Sequence, residues 1–224
     1  MPSVAVLIPA GGIGARLGRR TPKQFLRLGS ATILTVTLGH FTRHPAVRAI
    51  VVAVPAAHMA RARAALGGSR RPRVEVVAGG ATRQESVWRA LQAAPADVDV
   101  VLVHDAVRPF ISRGLVDAVV GAAAAHGAAI CALPIAETVK RVRDDVVEAT
   151  LERAGLWAVQ TPQGFHPALL REAHEKAHRD GVTGTDDAML VERLGHAVRV
   201  VPGLAGNVKI TTPDDLRRAR ERRR

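Results

Sequence analysis

The sequence predicts an α/β protein whose single domain, residues 1–224, is built on a doubly wound, mostly parallel sheet. Short, continuous apolar runs recur along the chain, as expected for strands that are buried on both faces. A segment with helical periodicity follows each of these runs after a short connection, which is typical of parallel strands joined by helices. With 224 residues, of which 47% are hydrophobic, the chain is long enough to bury one large core.

Predicted strands and helices alternate up to residue 133. The predicted strands are 4–8, 49–54, 74–78, 98–103 and 128–133. The predicted helices between them are 32–44, 57–66, 82–93 and 115–125, with Thr32 as the cap of the first. Near the end of the chain, we expect helices over 166–179, 186–194 and 213–222 and strands over 197–201 and 207–210. Thr185 and Thr212 are the predicted caps of the last two helices.

The alternation is interrupted by segment 134–159, which has no helical period. Within it, two β-rich runs flank the turn residues Asp144 and Asp145, so we expect a protruding β-hairpin arm. An excursion of this length between core elements indicates either a functional lid or an arm that contacts another subunit.

A glycine-rich loop follows the first predicted strand. It contains Gly11, Gly12, Gly14 and Gly18, together with the cations Arg16, Arg19, Arg20 and Lys23. Such a loop lets backbone N–H groups approach a phosphate closely. It is not a P-loop, because no lysine follows a glycine, and Leu17 breaks the Rossmann dinucleotide fingerprint. The pattern favours polyphosphate binding, with a flexible strand–helix turn as the alternative.

Polar residues also follow other predicted strands at the sheet edge where ligands bind in open parallel sheets. They include Gly79-Gly80 with Ser86, then His104, Asp105 and Arg108, and finally Lys209. This set suits a nucleoside triphosphate with Mg²⁺, because Asp105 can hold the cation. Arg16, Lys23 and Lys209 can balance charge that develops on an attacked phosphorus. The alternative for Asp105 is a structural ion pair with Arg108.

Composition excludes several classes of protein. The single cysteine, Cys131, lies in an apolar run, so we expect it to be buried and not catalytic. We expect His104 to bond backbone, and His174 and His178 to lie on a solvated helix face.

The net charge of +12 invites a nucleic-acid partner, but only 3% of residues are aromatic, so we expect none. No apolar run is long enough for a membrane span, and we expect a cytoplasmic protein.

Eight motifs in order resemble the 2-C-methyl-D-erythritol 4-phosphate cytidylyltransferase family of non-mevalonate isoprenoid synthesis. They are PAGGIGARLG, PKQFL, GG-x-x-R-x-x-S, VHDAVRPF, ETVKR, ERAGLWAVQTPQGF, GTDDAMLVE and NVKITTPDDL. The resemblance implies a Rossmann-like nucleotidyltransferase. It further implies a reaction of CTP with methylerythritol phosphate that gives 4-diphosphocytidyl-2-C-methyl-D-erythritol and pyrophosphate by in-line attack on the CTP α-phosphate.

The same resemblance implies roles for particular residues and a divalent cation, Mg²⁺ or another. The implied catalytic residues are Arg16, Lys23 and Lys209. The implied nucleotide-binding residues are Ala10, Gly11, Gly12, Gly14, Gly79, Gly80, Ser86 and Asp105, with Asp105 also touching the metal. The implied methylerythritol-phosphate ligands are Asp105, Arg108, Thr138, Arg153, Thr161 and Thr185. A homodimer in which each arm embraces the partner is implied as well.

Two positions depart from the family pattern, and three rival functions remain open. Val107 stands where a second alanine is usual, and Gly206 stands where an acidic residue is frequent. The nearest rival is a cytidylyltransferase for ribitol 5-phosphate, against which the stretch 152–157 argues. A purine or sugar nucleotidyltransferase and a basic nucleic-acid-binding protein are the more distant rivals.

Overall fold

A computed structural model describes residues 1–12, 21–66 and 72–223. Its core is a seven-stranded sheet in the order β11-β7-β10-β6-β1-β4-β5. These strands are β1 (Val4–Pro9), β4 (Val47–Val54), β5 (Arg73–Ala78), β6 (Val100–Val103), β7 (Ala128–Pro134), β10 (Trp157–Phe165) and β11 (Arg199–Pro202). All neighbours pair in parallel except β10, which is antiparallel to both β6 and β7. The predicted mostly parallel α/β fold is confirmed.

Helices cover both faces of the sheet. On one face lie α1 (Ile33–Thr42), α2 (Met59–Leu66) and α4 (Arg113–His126), which pack with Val4, Val6 and Ile8. On the other face lie α3 (Arg83–Ala93), α5 (Pro167–Arg179) and α6 (Asp187–Glu192), which pack with Ala5 and Leu7. Alternate side chains of β1 therefore enter opposite cores, which is why its sequence is apolar without interruption.

A smaller hydrophobic cluster packs residues 26–33 against the last helix. The short strands β2 (Arg27–Leu28) and β3 (Ala31–Thr32) form a hairpin, and α7 (Pro213–Glu221) packs beside it through Leu216. Thr212 caps α7 as predicted, and Asp215 completes a capping box. Of the described residues, none belongs to a helix long and apolar enough to cross a membrane.

The hairpin predicted within the arm is confirmed as β8 (Val139–Arg143) and β9 (Val146–Leu151), which pair with each other in antiparallel. Asp144 and Asp145 occupy the turn with φ of 47° and 61°, a region that aspartate tolerates better than most residues. The segment outside the central sheet is shorter than 134–159, because Pro134 ends β7 and Trp157 begins β10. The strand β10 itself was not predicted.

Three local predictions are wrong. Thr185 does not cap the next helix; the neighbouring Asp186 does, accepting from the Met189 N–H. Residues 207–210 form no strand, although the Ile210 N–H bonds the Val107 carbonyl. His174 is not on a solvated helix face, since only 2% of it is exposed. Residues 67–71, which follow the second predicted helix, lie outside the described residues.

Candidate active site

A cavity of about 360 Å³ opens at the carboxyl ends of β1, β5 and β6. It lies where the topology of an open parallel sheet places ligands. Eight of the residues expected at the site line it, namely Ala10, Gly11, Gly12, Lys23, Gly80, Ser86, Asp105 and Lys209. Gly79 adjoins this group without lining the cavity. Gly14 and Arg16 lie outside the described residues.

The Ser86 hydroxyl lies between Gly11 and the Gly79-Gly80 turn at one end of the cavity. It accepts from the Gly80 N–H at 3.1 Å and donates to the Thr82 carbonyl at 2.9 Å. A Cβ at Gly79 would lie 3.0 Å from this hydroxyl, and one at Gly80 would lie 2.2 Å from Glu85 Cβ. The Gly79-Gly80 turn therefore needs glycine for close approach, and backbone groups form the rim of the cavity there.

Lys23 is held at the cavity by the turn that follows the first glycine loop. It begins a 3₁₀ helix, Lys23–Phe25, whose next residue, Gln24, is buried and donates its amide to the Ala10 carbonyl at 2.6 Å. A Cβ at Gly12 would lie 3.5 Å from Lys23 Cε, so the lysine stem passes directly beside the loop. Gln24 thus fixes the base of Lys23 to the end of β1.

Asp105 stands at the centre of a cationic cluster. Its carboxylate contacts Lys209 Nζ at 2.9 Å, Arg108 Nε at 3.3 Å and Arg83 Nε at 3.4 Å. Burial would raise the pKa of Asp105, but Lys209, Arg83 and Arg108 outweigh it and hold the pKa well below its usual range. The structural pair with Arg108 that the sequence offered as an alternative is present, and it coexists with the lysine contact.

His104 and Thr161 hold the Asp105 loop from behind. The Asp105 N–H donates to Thr161 Oγ1 at 3.1 Å, and this hydroxyl meets His104 Nδ1 at 3.1 Å. His104 Nε2 donates to the Arg108 carbonyl at 3.1 Å, which leaves Nδ1 to accept from Thr161. The expectation that His104 bonds backbone is confirmed, and Thr161 is buried behind the cavity.

We expect stability to fall between pH 6.5 and pH 4 because of His104. Burial lowers the pKa of His104 to about 4, so the folded state stays neutral where the unfolded chain takes up a proton. The unfolded state then binds more protons, and the full loss on acidification is about 3 kcal/mol. Urea unfolding at pH 7 and pH 4.5 measures it, and His104→Gln should flatten the slope. An equal slope in that variant would contradict this assignment.

A buried chain of charges braces the cavity from the α3 side. Arg83 bridges Asp105 to Asp187, whose carboxylate it contacts at 2.7 Å. Asp187 also meets His174 Nε2 at 3.1 Å, and the His174 ring stacks on Trp88 with centroids 6.0 Å apart. Burial would raise the pKa of Asp187, but Arg83 and His174 lower it overall. This chain connects α3, α5 and α6 to the Asp105 loop.

Lys209 is positioned without a strand. Asn207, which is fully buried, donates to the Thr161 carbonyl at 2.8 Å and to Gln160 Oε1 at 3.3 Å. Arg108 in turn donates to the Asn207 carbonyl at 2.7 Å. The same side chains that hold Asp105 therefore hold the segment that carries Lys209.

Five expected substrate-binding residues, counting the buried Thr161, do not line this cavity within the described chain. Thr138 and Arg153 are exposed on the arm, where Arg153 donates to the Ala136 carbonyl. Thr185 is exposed, and its hydroxyl donates to Met189 Sδ at 3.7 Å. Arg108 reaches the cavity only through Asp105.

Sequence reasoning assigned no role to four residues that organise this site. They are Gln24, Arg83, Asp187 and Asn207. Each stands inside a motif that the resemblance used, one to three positions from a residue with an assigned role, and this proximity was the available signal. Gln24 and Asn207 are polar residues beside apolar ones. This pattern would have marked them as residues that support the site.

Glycine turns, two lysines and an ionised aspartate at the carboxyl edge of a parallel sheet define a nucleotidyltransferase. Residues 4–222 match the family model of 2-C-methyl-D-erythritol 4-phosphate cytidylyltransferase. The chain belongs to this family and is an enzyme that acts on CTP and methylerythritol phosphate in isoprenoid precursor synthesis.

Individual relatives agree with this placement. The enzyme of that name from Symbiobacterium thermophilum is 47% identical over 96% of this chain and 91% of its own length. The crystal structure of the Thermus thermophilus enzyme has a TM-score of 0.81 and 41% identity, and covers 99% of this chain and 98% of that one. The synthase from Anaerococcus prevotii superposes with a TM-score of 0.86 at 29% identity, with the same coverage.

Proposed function

We propose that this chain positions CTP in the cavity so that a phosphate oxygen of methylerythritol phosphate attacks the α-phosphorus in line, with pyrophosphate as the leaving group. The observation that carries the proposal is the convergence of Lys23 and Lys209 on one cavity between two glycine turns. In this scheme, the new P–O bond forms as the bond to the β,γ-diphosphate breaks, and no covalent enzyme intermediate is needed.

The two lysines stabilise the negative charge of the transition state. Both are point charges on flexible stems, which can follow the oxygens as the α-phosphate changes geometry. Lys209 contacts Asp105, so its ammonium is held near the reacting group in advance. Arg16, outside the described residues, is assigned the same role by its position in the glycine loop. Ala10, Gly11, Gly12, Gly14, Gly79, Gly80 and Ser86 are assigned to the nucleotide.

Asp105 suits a divalent cation such as Mg²⁺. It is ionised and is the single carboxylate that lines the described part of the cavity. Mg²⁺ commonly takes one or two protein carboxylates and completes its shell with phosphates and water. Within the described ranges, no group of three potential metal ligands exists, so the triphosphate must supply most of the coordination. When bound, the cation would neutralise triphosphate charge.

The arm favours assembly as a homodimer. Val142, Val146 and Val147 expose 55%, 67% and 56% of their surfaces on the hairpin, where a single chain covers neither face. Apolar side chains in this density are typical of an interface. We assign Thr138 and Arg153 to the methylerythritol phosphate that is bound at the partner chain's cavity. The other assigned ligands belong to the chain that holds the cavity, and they are Asp105, Arg108, Thr161 and Thr185.

Mixing two inactive variants tests the shared site. Lys209→Ala damages the cavity, and Arg153→Ala damages the arm. If arms cross between chains, heterodimers contain one intact site, and an equal mixture regains about a quarter of wild-type activity. Dissociation and reassociation before the assay is required. Failure to regain activity in a mixture shown to contain heterodimers would contradict a site that is shared between chains.

The cellular location and the absence of a nucleic-acid partner are proposed on the basis of the same reaction. We propose a cytoplasmic location, where CTP is available, and no nucleic-acid partner.

A further inference from the structure

A second cavity, about 770 Å³ in volume, lies behind the active-site loop. We call it the rear cavity and define it by His40, Arg43, Phe110, Leu204, Arg222 and Arg223, which line it. Its walls come from α1, from the segments 109–112 and 204–206, and from the residues that follow α7. None of these segments carries a residue with a role in the proposed reaction.

Three arginines converge on the rear cavity without a carboxylate. None of the described lining residues is acidic, and Arg43, Arg222 and Arg223 form no ion pair with another described residue. All three arginines are exposed, so water screens part of their mutual repulsion, and a bound anion would relieve the rest. Guanidinium groups pair with phosphate oxygens through parallel hydrogen bonds, so a phosphate is the best-matched anion.

Gly206 makes room for one of these arginines. A Cβ at this position would lie 2.5 Å from Arg222 Nη2, and Arg222 Nη1 donates to the Gly206 carbonyl at 2.7 Å. The Arg222 guanidinium also stacks over Phe110, 4.7 Å from the ring centroid. These contacts fix the cation against an apolar wall formed by Phe110, Val36 and Leu204.

The rear cavity and the active site share two segments. Asp105, Ala106 and Val107 line the active-site cavity, whereas Pro109 and Phe110 line the rear cavity. Likewise, Lys209 faces the first cavity and Gly206 the second. His40 Nε2 donates to the Pro109 carbonyl at 2.9 Å, which ties α1 to this loop. A ligand in the rear cavity would therefore press on the loop that carries Asp105 and Arg108.

We propose that the rear cavity is a regulatory site for a small organic phosphate with an apolar group. The arginines hold the phosphate, and the wall of Val36, Phe110 and Leu204 takes the apolar part. Binding adjusts the 105–110 loop and thereby the affinity of the active site for CTP.

The side chain of His40 offers a direct probe of binding in the full-length protein. Burial lowers the pKa of His40, the Pro109 hydrogen bond opposes this, and Arg43 and Arg223 lower it further. An anion between those arginines cancels their effect, so butyl phosphate should raise the His40 pKa in a saturable way, followed by NMR. The signal is assigned with His40→Gln. Inorganic phosphate should require a higher concentration than butyl phosphate for the same shift.

Charge variants locate the response. Arg43→Gln with Arg223→Gln should lower the affinity for butyl phosphate at least about tenfold. Arg218→Gln removes a charge from α7 outside the cavity and should leave the affinity unchanged. An unshifted His40 or equal binding by the double variant would each overturn the site, and an equal response to inorganic phosphate would overturn the apolar part of the proposed ligand.

The regulatory role rests on the proposed reaction and is tested by kinetics. The binding of butyl phosphate, measured by NMR, does not depend on that reaction. Butyl phosphate should change the KM for CTP in the wild type and in Arg218→Gln, and should leave it unchanged in the double variant. Binding with an unaltered KM would overturn the regulatory role. A protein that binds butyl phosphate but never turns over CTP would instead count against the reaction.

Discussion

Replacing Lys209 with alanine is expected to lower kcat about 1,000-fold while the fold stays intact. The ammonium contacts Asp105 at 2.9 Å and lines the cavity, so it is in place before the α-phosphate develops charge. Loss of a preorganised charge in a site of this kind costs about 10²–10³ in rate. We expect the same order of loss for Lys23→Ala.

The chain offers matched controls for this experiment, because only four lysines occur in it. Lys176 forms a surface pair with Asp180, and Lys140 bonds Thr150 on the arm. Lys176→Ala should retain wild-type kcat. Initial rates at saturating CTP measure kcat, and far-UV circular dichroism shows whether each variant is folded. Wild-type kcat in both Lys209→Ala and Lys23→Ala would refute the assigned roles.

The second large effect is expected at Asp187, which anchors the buried chain of charges. It is 1% exposed and pairs with both Arg83 and His174. Asp187→Ala removes the nearer of the two carboxylates that Arg83 contacts and the buried acceptor of His174, so it should lower the free energy of unfolding by about 3 kcal/mol. Arg83 then holds Asp105 less firmly, and kcat/KM should fall in those molecules that remain folded.

Asp180→Ala provides the comparison. Asp180 pairs with Lys176 and Arg193 at the surface, and loss of such pairs costs less than about 1 kcal/mol. Asp187→Asn keeps an acceptor for His174 and should lie between the two. Urea unfolding at pH 7 measures all three variants, and a cost for Asp187→Ala no larger than that for Asp180→Ala would show that the buried chain does not brace the site.

The sequence was sufficient to predict the sheet class and most of its elements. Runs such as Val4–Ile8 are buried on both faces, so apolar continuity alone marks them as strands. The rule that ligands bind beyond the carboxyl ends of parallel strands also predicted that Lys23, Asp105 and Ser86 would meet, which they do at one cavity.

What could not be predicted depends on tertiary contacts. The strand β10 contains Gln160, Gln163 and Gly164 and shows no periodic pattern, because its first three residues are exposed and its last six are buried. Threonine and aspartate are both favoured N-cap residues, so the sequence does not distinguish Thr185 from Asp186. The residue at which the helix begins in the folded chain decides between them. Residues 207–210 look like a strand, but the backbone of Asn207 bonds elsewhere, since its N–H donates to the Leu204 carbonyl and its carbonyl accepts from Arg108.

Arg83 and Asp187 illustrate a second limit. They lie 104 positions apart in the chain, and no local pattern connects them. Their motifs were visible, but the ion pair between them appears only when α3 and α6 pack on the same face of the sheet.

The most direct test of the account is pyrophosphate release by the wild type with Mg²⁺ and CTP, with methylerythritol phosphate or ribitol 5-phosphate as the acceptor. We predict release with methylerythritol phosphate alone, and loss of that release when a chelator removes the metal. Release with ribitol 5-phosphate alone would contradict the assignment of the acceptor. No release with either acceptor would contradict the claim that this cavity transfers a nucleotidyl group.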